Sequence, residues 1–520
     1  MPQIRYITSE SQIGAPGVYV RELAPATPTR GQRRRVAGFV GQCVRGPVGV
    51  AVKCTSYQRF LDVFGGRDRN SNGGMILGHV WKALQGKAWG QFYVARVAAA
   101  AAVAASYTAR SAAGGGGANV LTITASSVGA WGNDVFWRVF AATNGDANYF
   151  NLSIKMYGKV YLFENITING TLDNTNQVIG GDVATLIKLT KVAGGRPVNS
   201  AANTDGADAN GYIALGATNA GYTSVAGADG AIADTDYTAA GKGIEIINNT
   251  RGIHACAVVG RSNTAIKTKI GSLTTNQKVW FVCPDDQTTA VATAVTERAT
   301  FSTDKMSYWF NHVLFLDSIT QEQIYEEPFV GVMSVITQTD PDVHPGDFDN
   351  ASLWNYAIGV YNELSDSDRD ALDAGGVSFM FHDLDGAGND VIIAGNALTC
   401  DFAVNNRDLD GRYMKDFILD AIANRLRNDQ FKGNSRENRA ARAASISGFL
   451  TGLARQGRYV QVDEDSGKPL FSYKNDSSVN STTDQANGLQ REKLVCTLIP
   501  KNKQIELMAV VGVDASVIEA

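Results

Sequence analysis

Residues 35–44 read RVAGFVGQCV, and residues 91–97 read QFYVARV. Both runs are apolar, rich in Val, and lack a regular polar alternation. That is the pattern of strands buried on both faces, as in a parallel sheet. Between them, Ser56 is a candidate N-cap for a helix over 57–64, and Gly65-Gly66 a C-terminal stop. A second helix is expected over 75–84, where Ile76, Val80, Ala83 and Leu84 fall at helical spacing. The order strand, helices, strand predicts a right-handed crossover between parallel neighbours.

Residues 237–335 repeat this alternation. A helix is expected over 237–248, a strand over 254–259 and a buried strand over 278–283 (KVWFVC). A helix over 290–301 with Thr289 as N-cap and a strand over 312–316 follow, and together these complete the sheet. Residues 99–225 differ: charges thin out and Gly, Ala, Asn and Thr dominate. After a glycine-rich link at 112–117, alternation at 120–125, 135–140, 150–156 and 160–163 predicts strands separated by turns.

Beyond residue 335, a Gly/Asn/Asp hairpin turn is expected between strands at 377–381 and 391–394. Two amphipathic helices are expected over 414–426 and 438–454, and a closing strand over 503–513. Residues 1–34 are broken by Pro16, Pro25 and Pro28, with one short strand over 17–23. The expected fold class is thus α/β and α+β multidomain. It comprises an N-terminal arm (1–34), a discontinuous parallel-sheet α/β core domain (35–98 with 226–335) and a nested β-rich peripheral insertion (99–225). An α+β C-terminal domain (336–503) and a C-terminal arm (504–520) complete it.

A chain of 520 residues exceeds one hydrophobic core. With 44% hydrophobic residues, 19% charged residues and a mean hydropathy of −0.11 it reads as globular. A formal net charge of −4 gives no global pull toward nucleic acid or a membrane surface. The six cysteines are scattered without a CxxC pair, as for buried reduced thiols in a protein made in a cytoplasm. The N-terminus has no apolar signal core, and the alanine-rich stretch at 97–105 is too short to span a bilayer.

The search for chemistry ends without a catalytic constellation. There is no HExxH, GxSxG or Walker A pattern. The five histidines share no metal-ligand spacing. Residues 383–392 (DLDGAGNDVI) imitate a calcium loop but carry Ala387 and Ala394 where ligands belong. No catalytic residue, cofactor or metal is expected. One charged feature stands out: residues 405–459 hold eleven basic residues against six acidic ones. Arg436, Arg439 and Arg442 recur every third position along one helix flank, a candidate docking face for an acidic partner.

Five fragments follow one another at tight spacing: Pro16-Gly17-Val18-Tyr19, Gly38-Phe39-Val40-Gly41, Arg45-Gly46-Pro47, Thr55-Ser56 with Phe60 and Phe64-Gly65, and Tyr93-Val94-Ala95-Arg96-Val97. Gly129-Ala130-Trp131-Gly132-Asn133-Asp134 and Gly227-Ala228-Asp229-Gly230 come later. In this order they resemble contractile tail sheath proteins of phages and related contractile injection systems. The segment from Pro328 to Ala351 departs from the family's linking pattern in its spacing, and Gly395-Asn396-Ala397-Leu398 stands where the family often has Gly-x-Arg-Thr. The resemblance implies a non-enzymatic structural subunit of a virion tail, assembled in the host bacterial cytoplasm. Its partners would be copies of itself in stacked hexameric rings, an inner tail tube protein, and baseplate and tail terminator proteins, without nucleic acid or membrane insertion. Contraction would drive the tube through the target envelope for genome ejection.

The resemblance implies a tube-contacting helix around Arg436, Arg439 and Arg442. It also implies exchanged terminal arms, here Gly17, Val18, Tyr19 and Val20 at one end and Ile505, Leu507, Ala509 and Val511 at the other. The alternatives are a flavodoxin-like α/β enzyme, with its site at the strand ends near Val44, Val259 and Cys283, and another virion structural protein.

Overall fold

A computed structural model describes residues 4–7, 18–21, 36–66, 92–168, 174, 185–273, 280–316, 322–347, 357–384, 388–403, 407–429, 433, 435–483 and 491–499, except 115, 157, 194, 220 and 458. The helix expected over 75–84, Gly17 and the strand expected over 503–513 lie outside these residues. Contacts divide the chain into two units, residues 34–409 and residues 1–33 with 410–520.

In the second unit by size, strands β1 (Ile4–Ile7) and β2 (Val18–Arg21) pair in parallel as a two-stranded ribbon. The larger unit opens with β3 (Ala37–Gln42), followed by β4 (Ala51–Cys54), helix α1 (Tyr57–Phe64) and β5 (Phe92–Val97). β3 and β5 are parallel neighbours, with Ala37 opposite Phe92 and Gln42 opposite Val97. Ser56 caps α1, its hydroxyl accepting from Arg59 N–H at 3.1 Å, and Gly65 ends it at φ 85°. β4, antiparallel to β5, was not expected from sequence; it is short and partly exposed, so it lacks the apolar run of its neighbours.

The chain then builds two four-stranded sheets. One contains β6 (Ser106–Arg110), β7 (Asn119–Ala125), β11 (Ile187–Lys191) and β13 (Ser224–Val225). The other contains β8 (Phe136–Ala141), β9 (Phe150–Met156), β10 (Lys159–Ile166) and β12 (Ile213–Ala214). Alternate residues point inward, so Tyr107, Leu121, Ile123, Trp137, Val139, Leu152 and Ile154 share one core. Residues 112–117, read as a link, close the β6–β7 hairpin. Val103 and Ala228 form an antiparallel bridge, which brings the two ends of this segment together.

The expected helix over 237–248 is two, α2 (Asp234–Thr238) and α3 (Gly243–Asn249). β14 (Ala255–Val258), α4 (Thr264–Ser272), β15 (Trp280–Pro284) and α5 (Val291–Arg298) follow. Ala290, not Thr289, holds the N-cap position of α5, without a side-chain hydrogen bond. The next strand of the large sheet is β16 (Met306–Phe310), buried throughout. The strand expected at 312–316 is β17 (Val313–Leu316), and it belongs elsewhere: it lies between β18 (Gln323–Glu326) and β19 (Ala357–Val360) in a three-stranded sheet.

Asn311 is the physical reason. It adopts φ 77°, a region asparagine tolerates better than most residues, and so breaks the run between β16 and β17. Its amide holds the turn, donating to Asn362 O at 2.8 Å and Met380 O at 3.0 Å and accepting from Asn362 N at 2.9 Å.

After α6 (Phe329–Gln338) and α7 (Asp366–Ala374), β20 (Ser378–Leu384) and β21 (Asp390–Ala394) form the expected hairpin. β20 pairs in parallel with β16, so the large sheet crosses residue 335, where the sequence reading ended the core domain. Its eight strands run β21-β20-β16-β15-β14-β3-β5-β4. The interior is parallel, and β4 and β21 are antiparallel edges.

The two helices of the other unit are α8 (Leu409–Arg427) and α9 (Arg436–Arg455). Their apolar stripes meet through Met414, Phe417, Ile418 and Ile422 against Ile446, Leu450 and Leu453. The hairpin of β22 (Phe471–Lys474) and β23 (Lys493–Cys496) packs against the same cluster.

Candidate functional site

The fragments that carry the resemblance from Gly38 onward converge where the two-sheet segment leaves the large sheet. Arg96, near the end of β5, is 4% exposed. Its guanidinium donates to the carbonyls of Cys43 at 3.0 Å, Gly46 at 2.8 Å and Val44 at 3.4 Å, and across the junction to Val128 at 2.9 Å. A planar fork of five donors suits such an array of carbonyls, which a lysine could not reproduce. Arg45 donates to the last turn of α1, to Leu61 O at 3.1 Å and Asp62 O at 2.8 Å, and lies over Trp131 at 5.9 Å.

Gly46 N–H donates to Ser127 Oγ at 3.0 Å. Gly46 sits at φ +108°, and a Cβ there would meet the Phe64 ring at 2.6 Å. Asp229 accepts from Ala130 N–H at 2.9 Å, and Asn133 exchanges two hydrogen bonds with Gly227 at 2.7 and 3.0 Å. The segment is therefore registered on the sheet by buried Arg96 and Ser127, half-buried Asn133 and exposed Asp229.

In the order β5-β3-β14-β15-β16 the chain winds outward in both directions from the β3/β14 boundary, the topological switch point where open α/β sheets bind ligands. Here the chain's own groups take the backbone at both strand ends. Arg96 holds the carbonyls after β3, and Glu327 accepts from Gly260 N–H after β14 at 3.1 Å. Burial pushes the Glu327 carboxyl up to about 8, against the opposing effect of that hydrogen bond. Burial likewise raises Asp285 well above the carboxylate range, and it lowers His312, whose Nε2 lies 3.1 Å from Asp285 O.

Nearby, Lys267 Nζ meets Glu297 Oε2 at 2.6 Å, and Tyr308 OH donates to the same oxygen at 2.6 Å, linking α4, α5 and β16. Among the described residues no three His, Cys, Asp or Glu side chains are placed to hold a metal ion. The six cysteines are free thiols, and Cys43 is pushed up to about 12 by burial.

The residues singled out from sequence fare differently. Arg436 is exposed and Arg439 half-buried at the start of α9, which Ser435 caps by accepting from Asn438 N–H at 3.1 Å. Arg442 does not join them. It is 7% exposed, with Nε 4.0 Å from Asp429 and 3.7 Å from Glu492. Asp429 also pairs with Arg425 at 2.5 Å, and Glu492 with the Tyr473 hydroxyl. Each three-residue step turns about 300°, or about 60° back around the axis, so Arg442 lies about 120° around the helix from Arg436, on the buried side. Arg442 ties α8, α9 and the β22–β23 hairpin together. Val18, Tyr19 and Val20 lie in β2, paired in their own chain with Ile4, Arg5 and Tyr6. Gly17, Ile505, Leu507, Ala509 and Val511 lie outside the described residues.

No family model matches the sequence, and no curated protein matches it. Solved structures do match in fold. A sheath tail protein from Desulfitobacterium hafniense aligns over 93% of this chain and all of its own, at 13% identity and a TM-score of 0.55. A sheath tail protein from Listeria innocua aligns over 90% of this chain and 96% of its own, at 13% identity and a TM-score of 0.58. The helical sheath of the anti-feeding prophage in its contracted state covers 96% of this chain and 99% of its own, at 12% identity and a TM-score of 0.53. The chain has the fold of tail sheath proteins.

Proposed function

We propose that the chain is a structural subunit of a contractile tail sheath, assembling with copies of itself around an inner tube and acting by rearrangement rather than catalysis. The observation that carries this is a fold match running nearly end to end, including a helical sheath in its contracted state. The filled switch point supports the same reading over a flavodoxin-like enzyme, because the backbone groups that would meet a ligand there serve Arg96 and Glu327. The 104–227 segment is assigned to the periphery and Arg436 with Arg439 to the tube-facing side.

The terminal arms are assigned to linking subunits. The β1–β2 ribbon pairs with no other strand among the described residues, and a two-stranded ribbon alone is marginal in water. Its unpaired edges suit strand addition, which depends on backbone groups and so survives changes of side-chain contact. Electron microscopy of the purified full-length chain tests the proposal: hollow helical tubes are expected, and dispersed globules under all assembly conditions overturn it.

A further inference from the structure

The sequence holds five Asn-Gly pairs, and two of them, Asn144-Gly145 and Asn210-Gly211, lie among the described residues. Glycine after asparagine leaves the asparagine amide carbon open to attack by its own chain, because no Cβ crowds the following nitrogen. Both pairs close a tight turn. Gly145 N–H donates to Ala142 O and Gly211 N–H to Asp208 O, and the two glycines sit at φ 74° and 79°. The local chemistry and the turn are thus matched, and only the surroundings differ.

At Asn210 the attacking nitrogen is held. Gly211 is buried and its N–H lies 3.0 Å from Asp208 O. The Asp208 carboxylate braces the same turn, accepting from Asn210 N–H at 2.8 Å and Tyr212 N–H at 2.9 Å. At Asn144 the nitrogen is loose and the amide carbon is polarised. Residues 143–148 are exposed, and Gly145 N–H reaches Ala142 O only at 3.4 Å. A Cβ on Gly145 would meet nothing within 4 Å. Asp146 N–H donates to Asn144 Oδ1 at 3.0 Å, where negative charge gathers when the carbon is attacked. Asn144 Nδ2, the departing group, has no hydrogen-bond partner among the described residues.

We infer that Asn144 is a site of spontaneous deamidation through a succinimide. Gly145 N gives its proton to hydroxide and bonds to Asn144 Cγ. The Cγ–Nδ2 bond breaks, and Nδ2 takes a proton from water and leaves as ammonia. Water then opens the ring at either carbonyl, giving aspartate or isoaspartate. The sum is one asparagine and one water to one acid and one ammonia, with no oxidant or reductant. The isoaspartyl product lengthens the main chain by one carbon in a loop tied to β10. There Asn165 Oδ1 accepts from Asn144 N–H at 3.1 Å, and the Asn165 amide pairs with the Thr143 hydroxyl.

Peptide mapping of the full-length chain, held at pH 8 in heavy-oxygen water, reads acid formation at both pairs. Electron-transfer fragmentation separates isoaspartate from aspartate. In the folded chain Asn144 should convert about tenfold or more faster than Asn210, to both acids. In guanidinium chloride, where neither turn persists, the two sites should convert at similar rates. Equal rates in the folded chain, a faster Asn210, a preference for Asn144 that persists in denaturant, or no conversion at Asn144 overturns the inference.

Discussion

Glu327 shows how a single buried group sets a condition for the whole sheet. It is 6% exposed and its carboxyl lies near 8 rather than its ordinary 4.5, with burial as the main cause. The folded chain therefore keeps this proton at neutral pH, whereas the unfolded chain releases it. The native state binds more protons between those values, so stability falls as pH rises from 4.5 to about 8. The slope for one group is about 1.4 kcal/mol per pH unit, and Asp285, shifted the same way, steepens it. Glu327→Gln keeps an acceptor for Gly260 N–H and removes the charge. Its melting temperature should exceed the wild type's at pH 8–9, with the difference vanishing near pH 4. A variant whose melting falls with pH as steeply as the wild type's would contradict this assignment.

At the scale of elements, the positions that sequence made legible are those where local and tertiary demands agree. The α1 cap, β3, β5, β14, β15 and the four strands from β7 to β10 were readable because burial pattern, turn residues and caps all coincide. Elements were missed where long-range pairing decides. β6 lies between β7 and the distant β13, and the split between β16 and β17 depends on Asn311 contacting Asn362 and Met380, far along the chain. The same limit hid the inward turn of Arg442, since its spacing carries no record of Asp429 and Glu492.

Two predictions follow at this scale. Charge reversal at the side proposed to face the tube is confined to Arg436→Glu with Arg439→Glu, because reversing the buried Arg442 would break its ion pairs. The double variant should stop sheath forming on tubes while costing the monomer within about 0.5 kcal/mol per site. Normal tube-bound sheath from that variant would remove the assignment. Excision of residues 104–227 with a short glycine linker joins Val103 to Ala228 at an existing bridge and keeps no orphan half of the β6–β7 pair. Tubes should still form, and a folded monomer unable to assemble would contradict a peripheral position.

At the scale of the molecule, the account rests on how copies remain connected while their contacts change. In this chain residues 4–7 double back beside residues 18–21, so the arm would link copies by exchanging that pairing for a neighbour's strand; fully extended, about twenty residues span roughly 65 Å. Strand pairing by that arm can persist through rotations that break side-chain interfaces. Removal of residues 1–22 deletes the β1–β2 ribbon and leaves the strands of the large sheet intact. Sedimentation velocity of this truncated chain beside the full-length one, with electron microscopy of each fraction, is the most direct measurement. The account predicts a truncated chain that melts cooperatively, sediments as a monomer and forms no tubes where the full-length chain does; ordered tubes of normal length from the truncated chain would contradict it.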